Sequence, residues 1–249
     1  MRSKHTWLAL YIPVLFIGTL RAATPAKPDS VVENYLAATS QQEHALQGSS
    51  MEVDIEASLP KLKRQGRLQG LRRISRLGRI TYEVLHFEGD NAVKNQVIAR
   101  YLSAEVEAQS DDSPSLAVTP ANYKFSYKGP LTSNGRQVEV FQVAPRHKAV
   151  GLFKGEIWID SQTFLCVREA GRMVKNPSIF LKRIEFVKEY GIQAGVSVPQ
   201  QIHSLVATRI VGPAELTVSY RNVALADSLA AGTGPTSPSG AAIIDVGDQ

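Results

Sequence analysis

The feature that most restricts the fold is alternation. Met51, Val53, Ile55 and Ala57 are separated by Glu52, Asp54 and Glu56, a period of two that suits a half-buried strand and no helix. Further strands are expected near Gly66–Ser75 and from Arg79 to Phe87, with turns at Pro60 and Gly78. From Tyr123 onward the chain reads almost wholly as strands: Tyr123 to Lys128, Gln137 to Ala144, Leu152 to Asp160, Thr163 to Gly171, Ile179 to Tyr190, Val196 to Ile210 and Ala214 to Val223. Asn134-Gly135 has the residues a primed two-residue turn requires, and the Asp160 side chain is placed to bond backbone amides of the next turn.

Two helices interrupt the strands. Ser30 and Glu33 have capping-box spacing, and Val32, Tyr35 and Leu36 form an apolar stripe on a helix expected to run to about Leu46. Asp90 is placed to cap a second helix carrying Val93, Val97, Ile98 and Tyr101, followed by a polar loop from Ser110 to Ser115. Roughly ten strands are too many for a small flat sheet. The expected class is α+β, mostly antiparallel β, a meander curving into a partial or closed barrel with helices against one mouth.

The ends read differently. Arg2 and Lys4 precede an apolar run from Trp7 to Leu20, which ends in Ala22 and Ala23. This is the order of a secretory signal peptide, expected over 1–22, with an uncleaved anchor as the alternative reading. One domain is expected over 23–225 and a disordered tail over 226–249, which contains no basic residue. The leader holds Arg2, Lys4 and Arg21 of the 28 basic residues and no acid, so the remainder is nearly balanced against 23 acids. Overall charge therefore selects no partner. Cys166 is the only cysteine, which excludes an internal disulfide and, being far from the leader, an acylated cysteine at its end. The expected location is periplasmic or otherwise exported, soluble after signal cleavage.

No sequence pattern for chemistry stands out. There is no Gly-rich phosphate loop and no nucleophile elbow, and the histidines at 5, 44, 86, 147 and 203 are dispersed. Ser58 and Lys61 match a Ser-x-x-Lys pattern, but Pro60 makes a turn the better account. Neither a metal nor a cofactor is expected, nor enzymatic activity, and export argues against nucleic acid as partner. Between Lys61 and Arg79 the chain has eight basic residues and no acid. Within this run Arg64, Arg67, Arg72 and Arg73 are candidates for contact with membrane or lipid headgroups, the other reading being solvated faces of two strands that discourage edge pairing.

The segment Phe153-Lys154-Gly155-Glu156-Ile157-Trp158-Ile159-Asp160-Ser161-Gln162-Thr163 resembles the strand, aspartate turn and strand of the LolA/LolB-like outer-membrane lipoprotein-sorting family and of the related RseB-like periplasmic sensors. The order of elements from about Ser30 to Val223 follows the same plan. The resemblance implies a half-open β barrel whose concave apolar face is covered by helices and takes up acyl chains. An inner-membrane donor protein and the envelope membrane are the partners it implies.

A curved sheet covered by only two short helices can leave apolar surface unfilled, and burying an acyl chain yields about 0.8 kcal/mol per methylene. The candidate lining comprises Val53, Ile55, Tyr82, Val84, Phe125, Tyr127, Phe180, Ile184, Phe186, Leu216, Val218 and Tyr220. The same residues would equally serve as core beneath the helices. The expected function is an exported, non-catalytic carrier or receptor for lipoprotein or lipid acyl chains. The alternative is an envelope sensor or adaptor that binds a protein through the same sheet.

Overall fold

The structure, a computed structural model, describes residues 27–108, 116–209 and 212–226. The leader expected over 1–22, the whole Ser110–Ser115 loop and all but the first residue of the 226–249 tail lie outside the described residues. No helix among the described residues is long and apolar enough to cross a membrane.

Ten strands form one antiparallel sheet: β1 (Ser50–Leu59), β2 (Arg64–Ile74), β3 (Ile80–Gly89), β4 (Tyr123–Ser133), β5 (Arg136–Pro145), β6 (Phe153–Asp160), β7 (Cys166–Met173), β8 (Leu181–Gln193), β9 (Val196–Thr208) and β10 (Pro213–Ala224). Their spatial order is β3-β2-β1-β10-β9-β8-β7-β6-β5-β4. The sheet is open, since its end strands β3 and β4 do not pair with each other. Two meanders are joined where the last strand returns to the first, with Val53 opposite Tyr220 and Ile55 opposite Val218. The fold is α+β and mostly antiparallel β, a half-open arrangement with helices on one side.

Local chemistry explains the elements. In β1, Met51, Val53, Ile55, Ala57 and Leu59 are buried while Glu52 and Glu56 are exposed, so the period of two is realised in full. Asn134 and Gly135 take positive φ, 49° and 74°, as a primed turn demands. The Asp160 carboxylate, 3% exposed, accepts from the amides of Gln162 (3.1 Å) and Thr163 (2.8 Å) and from the Thr163 hydroxyl (2.9 Å).

The helix α1 (Pro28–Leu46) starts before the expected capping box. Pro28 suits the first helical position because it has no N–H to leave unpaired, and the Ser30 hydroxyl donates to the Lys27 carbonyl instead of accepting from the helix. The second helix starts at α2 (Asn91–Val93), where the Asp90 carboxylate accepts from the amides of Ala92 and Val93. It continues through a π-helical segment, Lys94–Ile98, into α3 (Ala99–Ala108). The wider π turn brings Val93 and Ile98, five residues apart, onto the same buried face.

Candidate functional site

Strand alternation gives the sheet a helix-facing side and an outer side. On the helix-facing side the apolar residues divide into two clusters. One lies beneath α2 and α3, where Val93, Ile98 and Leu102 meet Met51, Val53, Ile55, Leu68, Leu216, Val218 and Tyr220. The other lies beneath α1, where Val31 and Tyr35 meet Tyr123, Phe141, Val143, Phe153, Ile157, Ile159 and Phe186.

The expected cavity lining is thus split. Val53, Ile55, Leu216, Val218 and Tyr220 are buried in the first cluster, with Tyr82 and Val84 packed against it. Phe186 is buried in the second, with Phe125 and Tyr127 packed against it. Phe180 is 54% exposed on the loop before β8, away from both clusters. Ile184 belongs to neither cluster and is half-buried. Of these ten clustered residues six are buried, and Tyr82, Val84, Phe125 and Tyr127 are partly buried against them.

Between the clusters lies a strip formed by the two central strands. Register pairs Ile184 with Val206, Phe186 with Ser204 and Lys188 with Ile202. Ile184, Ile202 and Val206 are half-buried there; Ile202 and Val206 pack against the first cluster, and Ile184 joins neither. One end of the strip is polar: the Lys188 ammonium lies 3.6 Å from Glu169. Ile202 and Val206 were not expected as site residues, because their neighbours Gln201, His203 and Ser204 make the stretch read as an ordinary amphipathic strand.

Polar groups are enclosed beneath both helices. Arg72, 8% exposed, donates to Glu105 of α3 at 2.8 Å and 3.1 Å, and the Tyr82 hydroxyl donates to the other Glu105 oxygen. Burial opposes the Arg72 charge, yet Glu105 outweighs it and raises the pKa of the guanidinium. Desolvation and the Glu105 charge push the Tyr82 phenol well above its ordinary value. Beneath α1, desolvation raises Tyr35, Tyr190 and the thiol of Cys166, so that thiol is a poor nucleophile.

The four arginines expected at a membrane are each paired with a carboxylate: Arg64 with Asp90 (3.6 Å), Arg67 with Asp54 and Glu56, Arg72 with Glu105, and Arg73 with Glu83 (2.6 Å). Arg72 is the correction. It is an inward-facing residue of β2, and a buried side chain presents nothing to a bilayer.

The hollows among the described residues include two. One of about 320 Å³ is lined chiefly by cations, including Lys148, Lys154 and Arg172. A smaller one of about 180 Å³ lies among Glu52, Asp54, Gln69 and Arg221 on the outer side. Among the described residues no cluster of three His, Cys, Asp or Glu could hold a metal ion.

No family model matches the chain. No curated protein matches either. Similar solved structures include a DUF1329 family protein from Desulfovibrio piger, at 11% identity and TM-score 0.43, covering 80% of this chain and 92% of that one. A LolA superfamily protein from Nitrosomonas europaea aligns at 10% identity and TM-score 0.36, covering 82% and 97%. MucB aligns at 12% identity and TM-score 0.30, covering 77% and 93%. The family that the sequence resembles is therefore among those with structures similar to this chain, at identities and scores that carry over neither function nor residue roles.

Proposed function

We propose that this chain is an exported, non-catalytic binding protein that holds the hydrocarbon chain of a lipid or lipoprotein along the strip between its two helix-covered clusters. The observation that carries this reading is the half-burial of Ile184, Ile202 and Val206 at the centre of the sheet. Ile202 and Val206 touch the first cluster yet keep part of their surface uncovered, and Ile184 belongs to neither cluster, which leaves apolar area along the strip for a ligand. Binding of this kind needs no reacting group. Each methylene removed from water contributes about 0.8 kcal/mol, and the Lys188 and Glu169 pair marks a polar end for a headgroup. Export rests on the composition of the leader.

Extraction of the natively purified protein followed by mass spectrometry should yield acyl species. Val206→Asp should lower the lipid recovered at least tenfold while leaving the circular dichroism spectrum unchanged. Wild-type protein that repeatedly carries no lipid and takes up no fluorescent fatty acid would overturn the reading.

A second reading has its own support. Among the described residues the sheet ends in two edges, β3 and β4, each paired on one side only, and an exposed edge is a template for a strand of another protein. A protein that co-purifies with the lipid-free chain would favour it.

A further inference from the structure

We propose that the end of the sheet bearing the β5–β6 and β7–β8 loops is a docking surface for an anionic phospholipid bilayer. Its centre is the cavity of about 320 Å³ lined by Lys148, Lys154, Arg172, Lys182 and Arg183. Lys154 and Arg172 are register partners on adjacent strands, and both point away from the helix-facing side, which takes Phe153 and Gly155 instead. The Arg183 charge is shared with Glu185 at 3.4 Å. Among the described residues Lys148, Lys154, Arg172 and Lys182 form no salt bridge, in contrast to the arginines of β2.

Apolar side chains stand beside these charges on the same two loops. Ile179 is 79% exposed, Phe180 54% and Val150 44%. The loops are held in place. The Asn176 amide donates to the carbonyls of Leu181 and Lys182, and Arg209 donates from its backbone to the Phe180 carbonyl (2.9 Å) and from its side chain to the Ile179 carbonyl (2.8 Å). The Val174 amide bonds the Leu152 carbonyl at 3.0 Å, which ties the β5–β6 loop to the end of β7.

The combination selects the partner. A soluble phosphate would use the cations and leave Ile179 and Phe180 in water, whereas a bilayer surface presents phosphates and, just beneath them, hydrocarbon. The inference does not rest on acyl-chain binding by the strip, since a chain that holds no lipid would still dock.

The test is co-sedimentation of the full chain with vesicles of phosphatidylglycerol and phosphatidylcholine, set against vesicles of phosphatidylcholine alone. The expected result is binding to the anionic vesicles only, weakening as salt is raised. Lys154→Gln with Arg172→Gln should weaken it by roughly 10- to 30-fold, from about fivefold per surface charge. Ile179→Ser with Phe180→Ser should weaken it by roughly tenfold or more. Arg64→Gln with Arg73→Gln, whose charges are already paired, should stay within roughly twofold. Circular dichroism checks that each variant is folded. Absent binding by the wild type, equal binding to neutral vesicles, an equal loss in the Arg64 and Arg73 variant, or release by glycerophosphate would each overturn the proposal.

Discussion

Arg67 and Arg72 leave the same strand on opposite sides. Arg67 points outward to Asp54 and Glu56, whereas Arg72 points beneath α3 to Glu105. The run from Lys61 to Arg79 looks like one basic patch because the partners, Asp54, Glu83, Asp90 and Glu105, come from other elements. Removing one member of an enclosed ion pair leaves the other charged without compensation, at about 3 kcal/mol or more. Glu105→Ala should therefore lower unfolding stability by about 3 kcal/mol in urea titrations, and Arg72→Met combined with Glu105→Leu should recover most of it. Asp54 allows a pH test. The hydrogen bond from Arg67 holds its carboxyl below the ordinary 3.8. A depressed folded pKa adds stability that is complete above the unfolded value and disappears as pH falls through the folded one. Acid titration should show wild type more stable than Asp54→Asn at neutral pH, with the difference closing below about pH 4.

At the scale of elements, the hairpin of β6 and β7 depends on two glycines facing each other. Gly155 is opposite Gly171, and a Cβ on Gly155 would lie 2.0 Å from the Ala170 carbonyl oxygen and 2.5 Å from the Gly171 Cα. A Cβ on Gly171 would meet the ring of Phe153 at 2.8 Å, so the bare backbone makes room for the Phe153 and Phe186 rings, which stack edge to face at 5.1 Å. Gly155→Ala should cost about 3 kcal/mol or more by thermal or urea unfolding, because the obstruction is backbone and cannot turn aside. The turns were legible in the sequence, since Asn134-Gly135 and Asp160 act through their own residues. The π segment was not: Val93, Val97 and Ile98 suit a regular helix equally well, and the burial of Ile98 is set by the sheet beneath it.

For the whole molecule, β1 and β10 form the seam between the two meanders, with hydrogen-bonded neighbours on both sides and a covering helix. Among the described residues β3 and β4 have a strand on one side only. Native-state hydrogen exchange should find the slowest amides in β1 and β10, exchanging with global unfolding, and faster local exchange on the outer edges of β3 and β4. Equal protection across the sheet would show that the edges are covered.

Alternation, turn residues and caps act over a few neighbouring positions, so the strands, most turns and the two helices were determined by the sequence itself. Pairing of β1 with β10 joins residues far apart in the chain, and local patterning is silent on which distant strand closes against which. The same limit governs the site. An inward apolar residue on a strand reads alike whether it is buried in full, as Ile55 is, or only in part, as Ile202 is. Only the tertiary structure decided between them, because burial depends on where α1 and α3 lie. It likewise decided that the charges of β2 are answered while, among the described residues, Lys154 and Arg172 have no salt-bridge partner, since a carboxylate neutralises a cation by proximity in space and not in sequence.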